Sequence, residues 1–136
     1  MQNNVVYLQN ASITNENKVV LSNVNFEVAS GDFVFLIGKT GAGKSSLLKV
    51  LYGDLSLNNG TGSIVGYALE KLEEREIPSL RRKLGVVFQD FKLLPDRTVF
   101  ENLAFVLRAT GWKDKVKIKN RVNEVLQMVN VASDLN

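Results

Sequence analysis

A chain of 136 residues with 45% hydrophobic and 23% charged side chains suits one domain, or a large piece of one, with a single apolar core. It has no cysteine and no histidine, which excludes disulfides, thiolate and imidazole metal sites, and a histidine general base. Its 17 cations against 14 anions leave a net charge of +3, spread along most of the chain, which points to no specific nucleic acid as partner.

The first residues, Met1-Gln2-Asn3-Asn4, form neither a basic nor an apolar leader, and no stretch approaches the ~18 apolar residues of a membrane span, so a cytoplasmic chain is expected. Residues 5–8 are a short β-rich run. Asn15-Glu16-Asn17 is a turn cluster, and residues 19–28 alternate in the manner of a half-buried strand. After a turn at Ser30-Gly31-Asp32 comes Phe33-Val34-Phe35-Leu36-Ile37, a continuous apolar run expected to be a strand buried on both faces.

Residues 38–43 are a glycine-rich loop and 44–52 a helix whose apolar side is Leu47, Leu48, Val50 and Leu51. A turn at 58–62 leads to a short strand at 63–67. Residues 69–83 are charged and partly helical, with an interruption at Pro78, and 84–88 form a second apolar strand. Thr98-Val99-Phe100-Glu101 fits a capping box that starts a helix running to about Thr110. That helix is apolar nearly all round, hence expected to be buried. A last helix spans 113–130, with Val122, Val125, Leu126 and Val129 on one face and the lysines of 113–121 on a solvated one.

Gly38-Lys39-Thr40-Gly41-Ala42-Gly43-Lys44-Ser45 meets the pattern G-x-x-x-x-G-K-[ST]. A triphosphate is a dense cluster of anionic oxygens, and a glycine-rich turn lets successive N–H groups converge on it without obstruction by Cβ atoms. The helix that follows adds the partial positive charge of its N-terminus. Lys44 is expected to reach the β- and γ-phosphates, Ser45 to ligate a Mg²⁺ held by the same phosphates, and Ser46 to complete the phosphate site. A strand before the loop and a helix after it are the context this chemistry requires. Gln89, at the end of the second apolar run, lies where an open parallel sheet binds its ligand, and its amide could ligate Mg²⁺ or hold a water. Lys44 and Gln89 are thus the candidate catalytic groups.

Strand, P-loop, helix, charged arm and then Val86-Val87-Phe88-Gln89-Asp90 together resemble the nucleotide-binding domain of ABC ATPases. The stretch 75–102, with Arg81-Arg82-Lys83-Leu84-Gly85 and Asp96-Arg97-Thr98-Val99, is similar to the bacterial cell-division branch of that family. The resemblance implies an α/β P-loop NTPase fold: an antiparallel β subdomain, part of a parallel core sheet and a helical arm. It implies ATP and Mg²⁺ as ligands, a homodimer sandwiching two ATPs, and an integral-membrane partner of the FtsX type that governs septal cell-wall hydrolysis. It also implies a position on the cytoplasmic face of the bacterial plasma membrane.

Neither an LSGGQ-type signature, nor an apolar strand ending in Asp-Glu, nor a switch histidine occurs in residues 1–136. In the family these lie further along the chain, so a C-terminally truncated domain is expected, with hydrolysis belonging to the full-length protein. The family's adenine-stacking aromatic has no counterpart near Asn15, and Ile13 or Val19 is expected to meet the base instead. Phe91, Leu93, Leu94 and Pro95 are either packing under a loop or a groove for the membrane partner. The alternatives are another ABC system, such as a lipoprotein-release or macrolide-type exporter, or a low-turnover structural adaptor of the division machinery.

Overall fold

The computed structural model describes residues 4–131, which divide after Gly85 into two compact units. The first is built on a four-stranded antiparallel sheet of order β2-β1-β3-β4. Strands β1 (Asn4–Asn15) and β2 (Lys18–Ala29) form a hairpin whose two turn residues, Glu16 (φ 49°) and Asn17 (φ 61°), are both left-handed. That is the turn whose twist matches the strands it joins. β1 is much longer than the expected 5–8, because a bulge lies inside it. Pairing shifts between Leu8 and Ala11, and with that shift the inward set passes from Leu8 to Ala11 and Ile13. The polar pair Gln9-Asn10 that ended the apolar pattern is this bulge. Asn10 N–H donates to the Asn25 side chain across the sheet at 3.0 Å, so the disturbed ladder is satisfied there.

β3 (Asn59–Ile64) pairs with β1, and β4 (Tyr67–Ala68) folds back on β3. The strand expected at 63–67 is interrupted by a turn at Val65 (φ 42°) and Gly66 (φ 88°). A β-branched residue rarely adopts a left-handed conformation, which is why Val65 disguised the turn. Helix α1 (Lys44–Leu51) lays Leu47 and Val50 on a core made with Leu8, Ala11, Ile13, Leu57, Ile64, Leu69 and Leu80. A short 3₁₀ turn (Leu69–Lys71) and α2 (Ile77–Arg81) form the charged arm. Pro78 sits in the first turn of α2 and so helps start that helix rather than interrupting one, since its missing N–H costs nothing there. Arg81 ties the arm to the end of α1. Its guanidinium donates to the carbonyls of Tyr52 (3.0 Å) and Gly53 (3.3 Å) and lies over the Tyr52 ring.

The second unit is a pair of helices, α3 (Val99–Ala109) and α4 (Lys115–Met128). Ile118, Val122 and Leu126 recur every fourth residue and pack on Ala104, with Phe100, Leu103 and Leu107 around them. Val125 is half-buried, while Val129 falls just past the helix and is exposed. Asp114 caps α4 by accepting from the N–H groups of Val116 and Lys117. The lysines at 113, 115, 117 and 119 are exposed.

Three expectations are corrected. Residues 33–37 and 84–88 form no strand, and neither run is buried: Phe33, Phe35, Ile37 and Val87 are 84%, 75%, 89% and 90% exposed. A strand exists only through its neighbours, and the sheet of the described residues includes neither run. α3 is not buried all round, since Val99, Phe105 and Val106 are exposed and Ala104 alone is fully buried.

Candidate functional site

The glycine-rich loop leaves residues 33–37 and delivers the chain to α1. Its last residue, Gly43, is the N-cap of α1 and is held at φ 86°, ψ 4°, a left-handed conformation that glycine adopts at no steric cost. No side chain caps the helix at this end. A short turn, Ala42 N–H to the Lys39 carbonyl at 3.1 Å, rounds the loop, and the Gly43 carbonyl accepts from Leu47 N–H at 2.9 Å as α1 begins. The first-turn N–H groups of a helix lack partners within it, and the macrodipole makes their end positive.

Lys44 folds back over this loop. Its ammonium donates to the carbonyls of Gly38 at 2.6 Å and Lys39 at 2.8 Å. An ammonium has three donors, so two fix its position against the loop and a third is left for an anion. Both bonds depend on the chain doubling back between residues 38 and 44. Ser45, in the first turn of α1, is exposed, and Ser46 beside it is buried at 9% exposure. A hydroxyl that reaches solvent suits a metal ligand; a buried one suits packing and hydrogen bonding beneath the loop. Gly38, Lys39, Thr40, Gly41 and Ala42 are exposed, so the loop's polar groups are open to a ligand. The donor set of one ammonium, loop N–H groups and an accessible hydroxyl fits a nucleotide phosphate with Mg²⁺.

Gln89 belongs to the second unit, where it is exposed. The next residues are tightly wound. Phe91 (φ 53°) and Lys92 (φ 51°) are consecutive left-handed residues, and the Lys92 ammonium meets the Asp90 carboxylate at 2.7 Å. Lys92, through its hydrogen bond to Asp90, holds that carboxyl below its ordinary range. Phe91 and Leu93 stand 71% and 66% exposed. Leu94 is half-buried and anchored by Asn102, whose side chain accepts from Leu94 N–H (2.8 Å) and donates to the carbonyls of Leu94, Arg97 and Thr98. Nothing in the sequence marked Asn102, because its partners are backbone atoms that any residue could supply. Of the two positions expected to meet a base, Ile13 is fully buried in the core and cannot; Val19 is 66% exposed.

Three comparisons bear on the site. A family model described as ABC transporter matches residues 21–136. The cell division ATP-binding protein FtsE of Bacillus subtilis is 46% identical over 111 residues, 82% of this chain and 48% of the relative. The methionine import ATP-binding protein MetN of Helicobacter pylori is 39% identical over 132 residues, 96% of this chain and 40% of the relative. Among solved structures, the dimeric post-hydrolysis state of the ATP-binding cassette MJ0796 bound to ADP and Pi aligns with TM-score 0.80 at 29% identity. That alignment covers 96% of this chain and 59% of the cassette. The chain spans about half the length of the curated FtsE relatives it matches, 48% of each. With a P-loop in place and a family match over most of its length, this chain belongs to the ABC transporter ATP-binding family.

Proposed function

We propose that residues 1–136 are the N-terminal portion of a nucleotide-binding domain, and that this portion holds the phosphates of ATP with Mg²⁺. The carrying observation is the Lys44 ammonium, pinned by two loop carbonyls at 2.6 and 2.8 Å beside the uncapped start of α1. Lys44 then acts electrostatically on the β- and γ-phosphates, and the N–H groups of residues 39–46 take up the remaining oxygens. Bound Mg²⁺ would neutralise phosphate charge, with the Ser45 hydroxyl as a ligand. The full-length protein is an ATPase in this reading, acting as a homodimer and coupled to an integral-membrane partner at the cytoplasmic face of the bacterial plasma membrane. The MJ0796 cassette, dimeric and bound to ADP and Pi, supports the hydrolytic part of that reading.

The finer assignment is a cell-division ATPase paired with an FtsX-type partner at the septum, supported by identities of 41–46% to FtsE proteins. A methionine-import role is the second reading, favoured by the longer span of the MetN match, 96% of the chain against 82%. Co-purification identifies the partner: an FtsX-type subunit supports the first reading, a methionine permease the second. For the phosphate site itself, Lys44→Ala is expected to abolish ATP binding by calorimetric titration of the full-length protein, and unchanged affinity removes the assignment.

A further inference from the structure

Gly43, the last residue of the glycine-rich loop, lies against β2 at the Leu21 side chain and the Val20 carbonyl. A Cβ placed on Gly43 would lie 2.7 Å from Leu21 Cγ, 3.0 Å from Leu21 Cδ2 and 3.1 Å from the Val20 carbonyl oxygen. Real Cβ atoms essentially never approach to 2.7 Å, so Leu21 occupies the space directly against the Gly43 backbone. Leu21 is itself fixed from below. It pairs across the hairpin with Ile13, which is fully buried, and it packs against the core of the first unit. A continuous path of contact therefore runs from the sheet core through Leu21 to Gly43 and on to the first turn of α1.

Gly43 is the joint between loop and helix. Its torsion sets the direction of the N–H groups on either side, and Lys44 follows it in the chain. Moving Gly43 by a few tenths of an ångström tilts the loop against the helix axis and shifts the ammonium that bonds Gly38 and Lys39. Leu21 packs on the core that holds Leu47 and Val50 of α1, and it also abuts Gly43, so it touches the loop's joint as well as the core.

We propose that Leu21 is a positioning residue for the phosphate loop: it props Gly43 from the β2 side and thereby sets the affinity for the triphosphate. The proposal rests on the loop being the phosphate site. It also gives Gly43 a second reason to be glycine, since alanine there would meet both an unfavourable φ and the Leu21 side chain.

Calorimetric titration of the full-length protein with Mg-ATP, paired with thermal unfolding, tests this. Leu21→Ala opens a gap under Gly43 and is expected to weaken ATP binding about tenfold, as a misplaced binding group does. Leu21→Met, which refills the volume, is expected to bind within about twofold of the parent. Val24→Ala is the control. Val24 lies on the same strand and packs on the same core, but it pairs with Ala11 away from the loop. Its loss is expected to lower the unfolding midpoint while leaving ATP affinity within about twofold. Should Leu21→Ala not fold, Leu21→Val removes one methylene and suits a strand; about threefold weaker binding is then expected. Undiminished affinity in the Leu21 variants, or equal weakening in Val24→Ala, overturns the positioning role. A parent protein that binds no ATP, or a Lys44→Ala variant that binds it normally, overturns the phosphate site and this proposal with it.

Discussion

Thr98 and Glu101 satisfy one another at the start of α3. The Thr98 hydroxyl accepts from Glu101 N–H at 3.2 Å, while the Glu101 carboxylate accepts from Thr98 N–H at 2.8 Å and from the Thr98 hydroxyl at 3.1 Å. The backbone N–H of Thr98 is the main reason the Glu101 carboxyl sits below its ordinary range. The Thr98 hydroxyl adds to it, desolvation opposes it, and Arg97 and Arg108 lower the value further. Because the folded value is lowered, the contribution to stability is present above the unfolded carboxylate value of about 4.3 and lost as pH falls through the lowered one. Circular dichroism of α3 during acid titration is therefore expected to hold through the usual glutamate range and fall below it. Thr98→Ala is expected to cost about 1 kcal/mol and move the loss up toward the ordinary glutamate value. An unmoved acid transition in that variant assigns the shift elsewhere. This box was legible in the sequence because both partners lie within one helical turn. The Leu21–Gly43 contact was not, because it joins residues from separate elements and nothing in either segment announces the other.

At the scale of elements, the loop between Gln89 and α3 has an unusual division of labour. Asn102 secures its backbone from within α3, while Phe91 and Leu93 face solvent. Val99, Phe105 and Val106 on α3 are exposed as well, so apolar side chains accumulate on this unit where packing does not require them. The sequence left packing and partner binding open for residues 91–95. Leu93 at 66% exposure contributes little packing among the described residues, and under the proposed function it is a candidate contact for a membrane subunit. Leu93→Asp is expected to reduce co-purification of the membrane subunit at least tenfold, about 1.4 kcal/mol of affinity, with ATP affinity unchanged. Loss of both together would mark Leu93 as a packing residue. The positions of α3 and α4 were well anticipated, but of the face expected for α4 only Val122 and Leu126 are buried, with Ile118 buried beside them and Val129 exposed. What periodicity could not supply was the extent of burial around α3, which depends on what lies opposite each face.

Over the whole molecule the same limit explains the two apolar runs. Their composition marked them as strands of a buried parallel sheet, but the sheet of the described residues is antiparallel and includes neither 33–37 nor 84–88. A parallel strand takes its hydrogen bonds from segments far along the chain. The first run leaves five consecutive apolar side chains at least 40% exposed, with Phe33 and Phe35 stacked edge to face at 5.0 Å. Exposed apolar surface of this kind is unfavourable in water, and covering one such side chain is worth about 1.5–3 kcal/mol. The reading of this chain as part of a longer domain gives those side chains a place in a core sheet, and Ile37 is the residue that separates the possibilities. At 89% exposure Ile37 touches little in residues 4–131, so Ile37→Ser is expected to change the stability of the 136-residue chain by less than about 0.5 kcal/mol. In a protein of the relatives' full length, with that sheet complete, the same substitution is expected to cost about 2–5 kcal/mol, the cost of emptying a buried aliphatic site. Denaturant midpoints of parent and variant at both lengths measure the difference. Equal effects at the two lengths would mean that the run is not buried in the complete domain, and that the P-loop is presented on something other than a parallel core sheet.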